Sequence, residues 1–349
     1  MANVTLLHWN IETYGPAKYF NANSANFINY IATLINNVNA EIFAMVEVKN
    51  STSLLVPPII ANAVNALQGI LPAANPWRSV RVNSGYNNEA YIIMYRTDRN
   101  FLPIDLLMAT GANIVPDHGL GYFNILTNGP LAFPSRMTAN GGRRPFFAMF
   151  ETNAMAAQRF SVISYHAMFG AFTPLGVQRI ANLNSITEFD DGTPLDASLV
   201  SGDFNVDYNV NHAWYANLLG LPTEEATNDD TSLQDNPAGG NDPATFMANA
   251  YDNIFQTVIT GMAPTGNVIN LMVESAVVPF PQPPLPAAQP GVGNLSAAAG
   301  AFNIAALNVY LARIANPIVA LPPVDMNTAW DFVREGISNH YPVVVTVNI

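Results

Sequence analysis

The chain has 349 residues, half of them hydrophobic, with a formal charge of −12 and no cysteine. Disulfides, thiolate chemistry and cysteine-held metals are excluded. With only 13 Lys and Arg residues, the chain is a poor candidate for broad electrostatic wrapping of nucleic acid, which needs many phosphate contacts. No segment reaches the ~18 unbroken apolar residues of a membrane-spanning helix, and the length suits a substantial core in one large domain or two ordinary ones.

In chain order, residues 3–10 alternate and read as a strand ending at Trp9-Asn10. Residues 17–39 place Phe20, Phe27, Ile31, Leu34, Ile35 and Val38 at helical spacing. Glu41 to Val48 reads as a strand, and Pro57 to Ile70 as a helix with its prolines at the start. Strands follow over Arg78–Asn83, Ala90–Arg96, Arg144–Glu151 and Arg159–Tyr165. A helix over Pro174–Phe189 precedes a strand over Leu199–Asn205, and Tyr251–Ile259 and Pro342–Ile349 read as the last strands. Many strands with a few interleaved helices predict packed sheets with helices outside. Residues 278–323, rich in Pro, Ala, Gly and Leu, stand apart as an apolar insertion in a single domain spanning 1–349. Pro279 to Pro284 should be extended, and Ala297 to Ile314 has the composition of a helix.

The run Ser201-Gly202-Asp203-Phe204-Asn205 carries the most chemistry. It follows an apolar stretch, and residues i and i+2 of an extended segment point the same way. Asp203 and Asn205 are therefore expected to face one pocket, a carboxylate beside an amide. That pairing suits a phosphate ester, where a water must be positioned and charge neutralised. A turn with an Asx cap is the structural alternative. Other polar residues fall at predicted strand ends: Asn10, Glu47, Glu89, His166, Asp252 and His340.

This ordered set, with Glu47-Val48-Lys49-Asn50-Ser51, Asn88-Glu89-Ala90-Tyr91, Arg143-Arg144-Pro145-Phe146, Asp203-Phe204-Asn205-Val206-Asp207, Tyr251-Asp252 and His340-Tyr341-Pro342, resembles the endonuclease/exonuclease/phosphatase superfamily. The local context is most similar to its deoxyribonuclease I-like branch. The resemblance implies a four-layered α/β sandwich, two packed β-sheets flanked by helices. It implies metal-assisted hydrolysis of a phosphate ester. Glu47 would be the main ligand of Mg²⁺ or Mn²⁺, with Asn10 and Asn205 holding the metal or the phosphate. His166 would pair with Glu89 and His340 with Asp252, one histidine activating water and the other serving the leaving oxygen or the phosphate. Asp203 would orient the nucleophile. Arg143 or Arg144 would clamp phosphate, Lys49 stands where the branch has an Arg that reads the groove, and Tyr86 would touch substrate.

Asn339 departs from that pattern, which has Asp before the histidine as a metal-site carboxylate. Three readings stay open: one metal held by Glu47, an introduced change that traps substrate, or a natural change that weakens activity. DNA is the favoured substrate. A lipid phosphodiesterase or phosphatase, acting on sphingomyelin or phosphoinositide at a membrane reached through the apolar insertion, is the alternative. A catalytically weakened binding protein is the reading of another class. No obligate protein partner is evident. The first residues lack a basic leader region, and an extracellular mature form is favoured over a cytoplasmic one. His8, His118 and His212 have no clear partners and read as structural. The acidic stretch Glu224-Glu225 to Asp229-Asp230 reads as a solvated loop rather than a calcium site.

Overall fold

The computed structural model describes residues 3–15, 24–84, 88–103, 146–153, 158–167, 196–211, 223–227, 229–234, 247–257, 265–268, 334 and 338–349. Its elements are β1 (Asn3–Tyr14), α1 (Ser24–Asn37), β2 (Ile42–Lys49), α2 (Val56–Leu67), β3 (Trp77–Asn83), β4 (Glu89–Arg96) and β5 (Phe101–Pro103). They continue with β6 (Phe146–Thr152), β7 (Arg159–His166), β8 (Ala197–Asp203), the single turn α3 (Tyr208–Asn211), β9 (Thr223–Glu225), β10 (Asp252–Thr257), β11 (Thr265–Val268) and β12 (Val343–Asn348).

Two mixed six-stranded sheets form, in the orders β11-β12-β1-β2-β4-β3 and β5-β6-β7-β8-β10-β9. Each contains one parallel pair, β1 with β2 and β7 with β8, flanked by antiparallel neighbours. A parallel pair needs a crossover, and α1 supplies the first. Alternation along the strands then divides the side chains between two apolar layers. Leu7, Trp9, Phe43, Met45 and Ile92 face the helices, where they meet Phe27, Ile31, Leu34 and Ile35 of α1 and Val56, Ile60 and Val64 of α2. Leu6, Ile42, Ala44, Val46 and Ile93 face the second sheet, where they meet Phe146, Phe150, Phe160, Val162, Leu199 and Ile254. Burying each such large side chain contributes about 1.5–3 kcal/mol, and this area holds the layers together.

The architecture is the expected α/β sandwich of packed sheets and helices. The helix expected over 174–189 and the insertion at 278–323 lie outside the described residues. Within them, element ends differ from the sequence reading for local reasons. Asn39 (φ 50°) and Gly69 (φ 68°) adopt left-handed backbone, so α1 stops at Asn37 and α2 at Leu67, short of Ile70. β1 does not stop at Asn10 but runs on to Tyr14 through an irregularity in its pairing with β2. β8 ends at Asp203, two residues before the expected end at Asn205. The three- and four-residue strands β5, β9 and β11 are too short to show a period and were not expected. Glu224 and Glu225 accordingly lie in a strand, β9, rather than in a loop.

Candidate active site

The polar strand ends converge because the registers oblige them to. His166 pairs with Asp203 across the parallel β7–β8 ladder, Asp203 with Asp252 across β8–β10, and Lys49 with Glu89 across β2–β4. Asn10 and Glu47 sit near the matching ends of β1 and β2. Ser338 ties the chain before β12 to this end, donating from Oγ to the Asn10 carbonyl at 2.8 Å. The Trp9 indole N–H donates to the His340 carbonyl at 2.9 Å.

Gly202 is required by close packing at this end. A Cβ there would be driven into the Tyr165 carbonyl oxygen on β7. The absence of a side chain lets β8 approach and brings Asp203 level with His166.

Two bulges aim the carboxylates. In strict alternation Glu47 would share the helix-facing side with Met45. An extra residue in β2 between Met45 and Val48 breaks that alternation, and Glu47 takes φ 61°. The bulge returns Val48 to the helix-facing core and sends Glu47 toward the second sheet, its Oε1 3.3 Å from His166 Nε2. Glu12, in the β1 irregularity, takes φ 44° and accepts the Asn339 backbone N–H at 3.1 Å. Left-handed backbone at non-glycine residues is strained, and strain of this kind gathers at functional sites.

Asp203 is the hub. Its Oδ2 accepts Asn10 Nδ2–H at 2.9 Å and lies 3.4 Å from His166 Nε2 and 3.7 Å from His340 Nε2. Asn10 Nδ2 also reaches Glu47 Oε1 at 3.4 Å, and its own oxygen accepts the Glu12 backbone N–H at 3.0 Å. His166 is ringed by carboxylates: Glu89 Oε2 lies 3.6 Å from its Nδ1, opposite Glu47 and Asp203 on Nε2. Its backbone N–H donates to the Tyr91 hydroxyl at 3.1 Å. His340 Nδ1 donates to Asp252 Oδ2 at 2.6 Å. Thr231 adds its Oγ1–H to the same oxygen at 3.2 Å and accepts the Asp252 backbone N–H at 2.7 Å.

Charge follows from this packing. Burial would depress His340, but Asp252 and Asp203, with Glu47 further off, outweigh it and raise its pKa to about 10. Burial pushes Asp252 up, yet the His340 charge and hydrogen bond, with His8, carry it below the ordinary carboxylate value. Asp203 moves the other way, raised by burial and the Asp252 charge against the pull of His340 and His166. Near neutral pH the His340–Asp252 pair is an imidazolium on a carboxylate, and of the two acids Asp203 is the one more inclined to hold a proton.

The donor set fits a hard divalent cation. Ligand atoms of Glu47, His166 and Asp203 lie within 4.8 Å of one another, as do those of Asp203, Asp252 and His340. Asn339 Oδ1, on the residue before His340, is buried with no hydrogen-bond partner among the described residues. Oxygen-rich sets of this kind suit Mg²⁺ or Mn²⁺.

Of the residues anticipated from sequence, Asn10, Glu47, Glu89, His166, Asp203, Asp252 and His340 are brought together. Asn205 is not aligned with Asp203: its φ is 50°, its N–H donates to Asp203 Oδ1 at 2.9 Å, and its Nδ2 donates to the Ala167 carbonyl at 3.0 Å. It caps the strand end and ties β8 to β7. Lys49 lies 3.6 Å from Glu89 Oε1 with a largely buried side chain, which turns its charge inward. Tyr86, Arg143, Arg144, His118 and His212 lie outside the described residues. Glu12, Thr231 and Tyr91, which contact this cluster, were not anticipated. Only Glu12, two positions after Asn10, had a sequence signal, and only on the assumption of an unbroken strand.

No protein-family model matches the chain, and no curated protein matches it. Solved structures do. A mannosyl-6-phosphatase from Bacteroides thetaiotaomicron superposes over 99% of this chain and 100% of its own, at 14% identity and TM-score 0.51. An endonuclease/exonuclease/phosphatase family protein from the same organism superposes over 99% and 94%, at 13% identity and TM-score 0.50. The chain therefore has the fold of the endonuclease/exonuclease/phosphatase proteins.

Proposed function

We propose that this protein is a divalent-metal-dependent phosphoester hydrolase. The observation that carries the reading is Asp203, held by Asn10 and facing the Nε2 atoms of both His166 and His340. Glu47, with Asn10 and Asn339, would hold Mg²⁺ or Mn²⁺, which when bound neutralises phosphate charge and polarises the phosphoryl oxygens. The remaining work falls to the chain. Asp203 accepts a proton from the attacking water as its oxygen bonds to phosphorus. His340, protonated on Asp252, gives its Nε2 proton to the leaving oxygen as the phosphorus–oxygen ester bond breaks. His166, between Glu89 and Glu47, offers a donor to a phosphoryl oxygen and separates three acids that would otherwise repel.

DNA is the substrate favoured by the local sequence resemblance. The inward turn of Lys49 limits its reach to a DNA groove, so binding rests on the site itself and on Arg143 or Arg144. One observation favours the lipid reading instead. Leu54 and Leu55, on the turn just after Lys49, are exposed beside the site end of β2. Plasmid nicking with Mg²⁺ or Mn²⁺, run beside headgroup release from sphingomyelin and phosphate release from phosphoinositides and mannose 6-phosphate, tests these readings together. Nicking alone supports the nuclease. Release from lipid or sugar phosphate without nicking replaces it.

A further inference from the structure

His8 is a polar group that this chemistry does not use. It is fully buried on β1, on the side shared by Leu6 and Asn10, with Ala44 and Val343 as its ladder neighbours. Neither ring nitrogen has a hydrogen-bond partner among the described residues, and neither does Asp252 Oδ1. The two orphans face each other: His8 Nε2 lies 3.6 Å from Asp252 Oδ1, with both side chains fully buried. Buried polar atoms are almost always satisfied, and an apolar side chain of similar shape would fill this space without the desolvation cost. The imidazole therefore needs a reason to be there, and the one carboxylate oxygen beside it supplies one.

We propose that His8 is a positioning residue whose Nε2–H faces Asp252 Oδ1 and completes a His8–Asp252–His340 chain across the two sheets. Asp252 Oδ2 is already engaged by His340 Nδ1 and Thr231 Oγ1. A carboxylate held at one oxygen keeps freedom to turn about its last bond, and a second positive edge at the other oxygen fixes its plane. The separation is longer than a hydrogen bond, so the support is electrostatic. Because β1 belongs to the first sheet and β10 to the second, this contact also fixes where Asp252 stands relative to Asn10 and Asp203.

The mechanistic side of this inference rests on the hydrolase reading, and its structural side does not. The test uses the full chain, isotopically labelled, in the presence of a chelator. The His340 Nδ1 proton is read as a downfield resonance, assigned by its loss in His340→Ala. The wild-type His8 ring is expected to carry its proton on Nε2. His8→Met, which keeps volume without a donor, is expected to shift or broaden the His340 resonance, and His8→Gln, which keeps a donor, to restore it. With bis(p-nitrophenyl) phosphate and Mn²⁺, His8→Met should lower kcat about tenfold with KM nearly unchanged, and His8→Gln should recover most of it. A His8 ring protonated only on Nδ1 overturns the proposal, whether or not any variant folds. So does a folded His8→Met with an unaltered His340 resonance. Absence of hydrolysis by wild type, with the resonances behaving as expected, counts against the hydrolase reading and leaves the positioning role standing.

Discussion

His340 Nδ1 and Asp252 Oδ2 lie 2.6 Å apart, the shortest of the described links in the site. The bond fixes the imidazole tautomer and leaves Nε2 facing Asp203 at 3.7 Å. Replacing Asp252 by Asn keeps the shape but removes the charge that holds His340 protonated. Turnover of a phosphoester is expected to fall by about 10²–10⁴-fold, with KM much less affected. A loss under threefold in a folded variant contradicts this role.

The same pair gives stability a direction with pH. His340 in the folded chain has its pKa raised to about 10, above the ordinary value of 6.5. Its contribution is then complete below about 6.5 and is lost as pH climbs toward 10, because the folded state keeps a proton that the unfolded state has released. Urea unfolding in chelator should show stability falling across that window, by an amount on the order of a few kcal/mol. Asp252→Asn should flatten the decline. A wild-type curve that rises between these values is incompatible with the geometry.

Glu47 and Asn339 test the proposed metal site. Glu47→Gln is expected to weaken Mn²⁺ binding, measured calorimetrically, by more than about tenfold, the effect seen even for outer-shell partners. Asn339→Asp puts a charged oxygen where an amide oxygen now stands without a partner among the described residues, and should tighten Mn²⁺ and raise metal-dependent turnover. If neither substitution moves the affinity, the cation is held elsewhere.

Gly202 offers a purely structural check. Gly202→Ala forces β8 away from the Tyr165 carbonyl, and the midpoint of urea unfolding should fall by the equivalent of about 1–3 kcal/mol. A change within about 0.5 kcal/mol, the range of an ordinary surface substitution, would mean that the strands relax freely.

The fold was readable from sequence because short, largely apolar runs mark buried strands such as β4 and β7, and helical spacing marks α1. The convergence of polar groups was readable where a polar side chain interrupts an apolar strand near its end, as at His166, Asp203 and Glu89. What escaped depends on departures from regularity. Glu47 itself was anticipated from the resemblance, but the bulge that carries it to the site is not foreseen by alternation, and Glu12 lies within a strand expected to have ended. Asn205 was aligned with Asp203 on the assumption of two more extended residues, but left-handed backbone at Asn205 sends its amide to Ala167 instead. His8 looked structural because its partner lies 244 positions away in the other sheet, a pairing set by sheet packing alone.

The central claim, phosphoester hydrolysis centred on Asp203 and His340, is tested most directly by one comparison. Wild type and His340→Ala are assayed side by side on plasmid DNA, sphingomyelin, phosphoinositide and mannose 6-phosphate, with Mg²⁺ or Mn²⁺ and again with EDTA. The expected result is metal-dependent hydrolysis of at least one substrate, abolished by EDTA and lowered at least about 100-fold in His340→Ala. Equal rates in the two proteins, or no hydrolysis of any substrate by folded wild type supplied with metal, would contradict it.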